Sequence, residues 1–266
     1  MLKNFLFPLH PGIPDNMIMS MAEFIRFFEP KKVYLLLVVS GSSSRHIKWM
    51  DGIEQKMQEI GLPVERLLRY GHVPSQIVNA AKSNQSIICF LKKKKNPLKK
   101  ALAGSVVSDV VRMSEEPVLI YKKNLPWQAD QVLHSIMYAT NFKYSTTTCI
   151  KYIQHKALKA KRLILLHVGK RAPDPTAEKK RLEAVHANLD RLVSDSRNGF
   201  EAIEKRAVVG IWVARKILSY ARKNEVDLLV IGKIDAGGFF GRFTGGTTEA
   251  VYNRASCSVL IIPGGR

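Results

Sequence analysis

Apolar residues along this chain gather into short β-rich runs, separated by stretches with helical spacing. In the first half the runs are 4–9, 33–39, 64–70, 87–91 and 117–121. Between them Trp49, Ile53, Met57 and Ile60 recur at intervals of four, four and three, the spacing that puts side chains on one helix face. Ile77, Val78 and Ala81 follow Pro74, whose fixed φ suits a first helical turn. The second half repeats the alternation. Its strand-like runs are 132–140, 163–168, 202–209, 228–231 and 258–262, and a helix from Ala177 carries Leu182, Val185, Leu189, Leu192 and Val193 on one stripe. Strands alternating with helices predict a parallel sheet covered by helices on both faces.

The alternation is duplicated in detail. "LAGSVVSDVVRMSEEPVLIY" in the first half answers to "TGGTTEAVYNRASCSVLIIP" in the second. Gly71 matches Gly210, Ile88 matches Leu229, Gly104 matches Gly246 and Val118 matches Val259, at offsets of 139 to 142 residues. A period this long means tandem domains and not a solenoid. The expected fold class is α/β, with two tandem copies of a five-stranded parallel sheet. The expected domains are 1–123 and 132–266, joined by "KKNLPWQADQ". The last strands, "PVLIYK" and "SVLIIP", are apolar and would be bare edges in a lone domain. Self-association is therefore expected: an intramolecular pseudo-twofold pair of repeats, with a homodimer as the other use of such an edge.

Charge adds a constraint on partners. The net charge is +20. Residues 1–123 hold 19 Lys and Arg against 10 Asp and Glu, and the remainder holds 23 against 12, so the charge is not a basic tail. It favours anions of any kind: nucleotides, nucleic acid, acidic lipid or acidic proteins. The 46% hydrophobic content supplies a sizeable core. No apolar run reaches the roughly 18 residues of a membrane span. Pro8, Pro11 and Pro14 interrupt the N-terminal stretch, which argues against a signal peptide. Cys89, Cys149 and Cys257 are odd in number and widely spaced, which fits a reducing cytoplasm better than a disulfide framework.

The candidate chemistry sits where each fourth strand meets its last helix. Ligands of open parallel sheets bind at the carboxyl ends of the strands, where strand order reverses. A helix starting there offers unpaired N–H groups and a positive dipole end to an anion. Gly allows close approach of a phosphate to the backbone, and Ser or Thr adds a hydroxyl. The second repeat reads "VIGKIDAGGFFGRFTGGTTEAV": Gly232 ends the strand, Gly237, Gly238 and Gly241 follow, and Gly245-Gly246-Thr247-Thr248 opens the helix. Ser105 and Thr247 would equally serve as plain helix caps.

With these residues the chain resembles the universal stress protein family in its tandem form. That family's pattern is a strand ending in Gly, two residues, Gly, nine residues, then Gly-Ser or Gly-Thr opening a helix before Pro-Val-Leu-Val. The resemblance covers nearly the whole chain. It implies an adenine nucleotide α-hydrolase-like sheet and, in nucleotide-binding members, ATP or AMP, with no metal beyond the Mg that accompanies ATP. By position, Thr140 and Asn141 stand at the end of strand 1, His167 and Val168 at the end of strand 2, and Gly232, Gly237, Gly238, Gly246, Thr247 and Thr248 in the phosphate loop. Asn141 replaces the family's Asp, and the glycine spacing is four and eight residues. An amide still donates and accepts, as adenine recognition requires. The first repeat departs further: His10 stands at the Asp position, and Lys92 to Lys95 replace the glycines before Gly104-Ser105.

Other motifs carry less. The run from Lys92 to Lys100 lacks the interleaved aromatics of single-strand binders and any groove-reading element, so no specific nucleic acid is expected. "SGSSSR" (40–45) is similar to the Ser-Gly-rich loops of ATP pyrophosphatases but follows the second strand, and reads as a turn. The seven histidines show no HExxH or paired ligand spacing, so no metal site is expected. No nucleophile–base pair and no Walker A motif emerges. The expectation is a cytoplasmic, non-catalytic regulatory module that binds ATP or AMP in its second repeat, with an unidentified protein partner. The alternatives are a nucleotide-free partner-binding domain, such as the cytosolic regulatory part of a transporter, and a slow ATPase, for which no carboxylate or metal set was found.

Overall fold

The computed structural model describes residues 2–39, 44–92, 103–122, 133–143, 146–155, 158–196, 199–233 and 246–264. The chain divides into two compact units, Met1–Gln131 and Val132–Arg266. The joining segment around Pro126 lies outside the described residues.

The first unit runs β1 (Asn4–Leu9), α1 (Asp15–Arg26), β2 (Lys32–Val39), α2 (Ser44–Glu59), β3 (Val64–Tyr70), α3 (Val73–Asn84), β4 (Ile87–Leu91), α4 (Ala103–Met113) and β5 (Val118–Tyr121). Its strands are parallel, in the order β3-β2-β1-β4-β5. The central strands are buried on both faces, so they read as continuous apolar runs: Phe5, Leu6 and Phe7 are all inaccessible, as are Leu35 and Leu36. Helix α1 turns Ile18, Met21, Ala22 and Ile25 inward. In α2 the buried stripe is Met50, Ile53 and Met57. Trp49, expected on that stripe, is only half-buried. Its indole N–H donates to Asp15 Oδ1 at 3.0 Å, and Lys56 Nζ donates to Oδ2 at 2.7 Å, which holds the ring at the helix flank.

The second unit runs β6 (Leu133–Thr140), α5 (Thr146–Ile153), β7 (Ala160–Gly169), α6 (Pro175–Asp195), β8 (Phe200–Val209), α7 (Val213–Lys223), β9 (Leu228–Gly232), α8 (Gly246–Arg254) and β10 (Ser258–Ile262). Its order is β10-β9-β6-β7-β8, again all parallel. β7 and β8 begin earlier than their apolar runs, because the ladder continues through polar residues, pairing Ala160 with Phe200 and Arg162 with Ala202. Asp174 caps α6, its Oδ1 accepting the Ala177 N–H at 2.8 Å. At the amino edge of the sheet Asp227 Oδ2 accepts from the N–H groups of His134 and Ser135, at 2.7 and 3.0 Å. β3 and β8, which flank the two sheets, carry exposed charges, among them Glu65, Arg66 and Arg69 on one and Glu201, Lys205 and Arg206 on the other.

Candidate functional site

In the second unit the chain leaves β6 toward β7 and β8, then crosses back to place β9 on the other side of β6. Strand order therefore reverses between β6 and β9, which opens a crevice at their carboxyl ends. Ala139 pairs with Ile231, so Thr140 and Gly232 end side by side. Across β6 the other way, Thr140 pairs with His167. Helix α8 starts at this edge. Its Thr248 is buried, and the hydroxyl donates to the Gly232 carbonyl at 3.4 Å, which fastens the first turn to the end of β9. The first-turn N–H groups of Gly246, Thr247 and Thr248 have no partner within the helix. Gly246 is exposed, and a Cβ built there would meet nothing within 4 Å. Its φ lies outside the left-handed region, so the glycine provides room and not a special backbone angle.

The side chains after β6 close a tight turn. Thr140 Oγ1 accepts the Phe142 N–H at 2.9 Å, and Asn141 Oδ1 accepts the Lys143 N–H at 3.0 Å. This leaves the Asn141 amide NH₂ as the donor end of that side chain. Phe142 takes a left-handed φ of 59° and stacks on the His167 ring, with centroids 4.6 Å apart and planes 20° from parallel. His167 Nδ1 lies 3.0 Å from the Thr140 carbonyl. A carbonyl only accepts, so Nδ1 carries the proton and Nε2 of the neutral ring is an acceptor. Burial lowers the His167 pKa and Arg181 lowers it further, against the bond to Thr140.

Arg181 and Glu178 complete the rim. A Cβ at Gly169 would fall 2.9 Å from His167 Nε2 and 3.1 Å from Arg181 Nη1, so only glycine allows both to close over the end of β7. Glu178 accepts from Arg181 Nε at 2.8 Å and Nη2 at 2.7 Å, and from the Ala172 N–H at 2.7 Å. Those hydrogen bonds, Arg181 foremost, hold the Glu178 carboxyl at about 2.

Of the residues named from sequence, Thr140, Asn141, His167, Val168, Gly232, Gly246, Thr247 and Thr248 all stand at this one edge. Gly237 and Gly238 lie outside the described residues. The Thr248 hydroxyl points to Gly232, so what it adds toward the crevice is its backbone N–H. Sequence reasoning passed over Phe142, Glu178 and Arg181. The last two had a signal, an acid and a base three apart on a helix. Among the described residues no group of three or more His, Cys, Asp or Glu could hold a metal ion.

The first unit presents a different edge. His10 is exposed, and its Nδ1 accepts the Gly12 N–H at 3.0 Å. Lys92 follows β4 and its N–H donates to the Tyr121 carbonyl at 3.0 Å, as the Lys233 N–H donates to Ile262 at 2.6 Å in the other unit. Lys93 to Lys100 lie outside the described residues.

The model of the universal stress protein family matches residues 133–263, the unit that carries the crevice. The second unit belongs to the universal stress protein family. No protein of curated function matches its sequence. A universal stress protein from Archaeoglobus fulgidus DSM 4304 is 18% identical, with a TM-score of 0.71 over 100% of this chain and 97% of that one. A protein of unknown function from Pseudomonas aeruginosa PAO1 is 18% identical, with a TM-score of 0.73 over 98% and 92%. The cytoplasmic domain of a prokaryotic cation chloride cotransporter is 13% identical, with a TM-score of 0.54 over 97% and 94%. These likenesses establish the fold, in which both halves of the chain are α/β units with parallel sheets. Among the described residues no helix is long and apolar enough to cross a membrane.

Proposed function

We propose that this protein is a cytoplasmic regulatory module that binds an adenine nucleotide, ATP or AMP, in its second repeat without turning it over. The observation that carries this reading is the first turn of α8, fastened by Thr248 to Gly232 beside Thr140 at the switch point, with open space over Gly246. The residues fit the ligand. The N–H groups of Gly246, Thr247 and Thr248 would hold phosphate at the positive end of the helix. The Asn141 amide and the backbone of Val168 would read the base, and Gly237 and Gly238 belong to the same phosphate loop. His167, oriented by Thr140 and stacked by Phe142, positions the rim. When bound with ATP, Mg would neutralise phosphate charge, and this chain supplies it no acidic ligand cluster among the described residues.

Calorimetric titration of the purified protein with ATP and with AMP tests this. Saturable binding below millimolar nucleotide supports it. No heat at millimolar concentration of either nucleotide removes it and leaves the second reading, a partner-binding domain that uses no nucleotide. That reading draws on the first repeat, where His10 and the lysines replace the motif, and on the shared fold of the cotransporter's cytoplasmic domain.

A further inference from the structure

Most large apolar side chains of the described residues are buried, but a few stand in solvent. They cluster in the turn that follows the flanking strand of each unit. In the second unit Val209, at the end of β8, and Ile211 and Trp212, between β8 and α7, are 44%, 74% and 73% exposed. In the first, Tyr70, the last residue of β3, and Val73, the first of α3, are 62% and 39% exposed. Trp212 also breaks a local rule. It is the N-cap of α7, a position that favours Ser, Thr, Asp or Asn, and it makes no side-chain cap bond. A costly exposed Trp at a cap position that polar residues fill better calls for a functional explanation.

The surroundings are basic. Residues 205–216 contain Lys205, Arg206, Arg215 and Lys216 and no acid; Lys205 and Arg206 are paired with Asp190 and Glu204, so the charge offered at the turn is that of Arg215 and Lys216. The Gly210 N–H donates to the Gly169 carbonyl at 2.9 Å, which brings the exposed Lys170 and Arg171 beside the turn. The stem of Lys216 lies against Gly210, where a Cβ would come 2.7 Å from its Cγ. Its charge is thereby carried at the base of an apolar tip, as in side chains that reach out of an apolar layer to a polar one.

We propose that the β8–α7 turn is a surface anchor for anionic membrane, with Ile211 and Trp212 dipping into the headgroup layer and the adjoining lysines and arginines meeting lipid phosphate and carboxylate. Three features favour lipid over other anions. Ile211 is aliphatic, and it is as exposed as the Trp; a nucleobase would stack on the ring alone. The apolar pair stands at the tip of a tight turn, whereas hot spots of protein interfaces sit in well-packed, desolvated pockets. The first repeat keeps part of the exposed apolar character at the same place with different side chains: by the Gly71–Gly210 match Tyr70 stands for Val209 and Val73 for Trp212, with His72 at the place of Ile211. A lipid surface accepts that exchange, because amphipathic rings of either kind sit at the interface, and a shaped protein pocket does not. Two apolar side chains hold a protein only weakly, so the basic charge is the necessary second signal. This inference uses none of the nucleotide-site residues and stands or falls apart from that reading.

The test is sedimentation with phosphatidylcholine vesicles containing about one-third phosphatidylserine, the anionic lipid of cytoplasmic leaflets. The expected result is binding that falls at least tenfold on pure phosphatidylcholine. It should also fall roughly tenfold or more in the double variant Ile211→Ala, Trp212→Ala, and about fivefold for each of Arg215→Gln and Lys216→Gln. All the substituted side chains are exposed, so melting temperature and circular dichroism should match wild type. Lipids brominated on their acyl chains should quench wild-type tryptophan emission and leave the double variant, which retains Trp49 and Trp127, unquenched. The proposal is overturned if wild type ignores anionic vesicles at low salt, or if the double variant binds them as well as wild type. It is equally overturned if the substitutions weaken binding to a single-stranded oligonucleotide but not to vesicles.

Discussion

At the carboxyl end of its first strand the N-terminal repeat carries His10, and the C-terminal repeat carries Thr140 and Asn141. One strand over, the register places Leu37 beside Leu9 in the first repeat and His167 beside Thr140 in the second. After the fourth strand one repeat continues with lysines and the other with glycines. Beneath these edges the two sheets are alike: Leu35 and Leu36 are inaccessible in one, Leu165 and Leu166 in the other. A core is held by many interchangeable apolar positions, and each tolerates another residue of similar volume. A ligand edge depends on a handful of residues with specific hydrogen bonds or bare backbone. Duplication therefore preserves the first and lets the second diverge.

The likeness of the cores is the easiest part to break. Leu36→Ala and Leu166→Ala should each cost about 2–5 kcal/mol, the range for a buried leucine with a cavity left behind. Urea unfolding of the two variants measures it, and a loss below about 1 kcal/mol in either would show that its sheet is not packed as described. The difference at the edges comes next. Gly246→Val should weaken ATP or AMP by more than tenfold, the loss of one charge-assisted contact of roughly 1.5–3 kcal/mol, while Gly104→Val leaves affinity unchanged. Because the φ of Gly246 is not left-handed, the variant should fold normally, so calorimetry reads the site alone. Loss of binding in Gly104→Val only would move the site to the first repeat.

A smaller contrast lies at the opposite end of the sheets. Asp227 takes two backbone N–H groups of β6, and the matching residue of the first repeat is Ser86, whose hydroxyl donates to the Asn84 carbonyl at 3.1 Å. Asp227→Ala should destabilise by about 1–3 kcal/mol, and Ser86→Ala by no more than about 1 kcal/mol, as denaturation midpoints would report. The smallest effect is pH dependence. The His167 pKa is lowered by folding, so the unfolded chain takes up this proton first. Its stabilising contribution is complete above the unfolded value near 6.5 and fades as pH falls below it. Glu178, lowered from 4.5 to about 2, contributes above 4.5 and loses that contribution as pH drops toward 2. Unfolding midpoints of His167→Gln between pH 7 and 5, and of Glu178→Gln between pH 5 and 2, should flatten those separate windows. Equal slopes in wild type and variant would show the groups to be unperturbed.

The inner strands were legible because sheets covered on both faces need uninterrupted apolar runs, and 4–9, 87–91 and 258–262 coincide with β1, β4 and β10; the run 64–70 also coincides with β3, although charges interrupt it. The starts of β7 and β8 were not, because Lys161 and Glu201 are polar there while the ladder runs on. The inner stripe of α1 is blurred by Met17 and Met19, which are half-buried on its other faces. Among the edge residues, position along a strand could be read from order alone. The stack of Phe142 on His167 could not, since it joins residues 25 apart through a left-handed turn and a carbonyl at Thr140. Arg181 reaches the same place from α6, and its spacing from Glu178 marks a helical pair without showing that it closes over Gly169.

The charges on β3 and β8 bear on how this protein behaves when abundant. To seed a fibre, copies of an outer strand would have to stack in register about 4.8 Å apart, each side chain above its own image. In β3 that stacks Glu65 on Glu65 and Arg66 on Arg66; in β8 it stacks Lys205 on Lys205 and Arg206 on Arg206. Like charges in column at that spacing repel all along the growing axis. Charge along these two outer strands thus opposes their use as seeds for polymer, although each is an edge of its sheet.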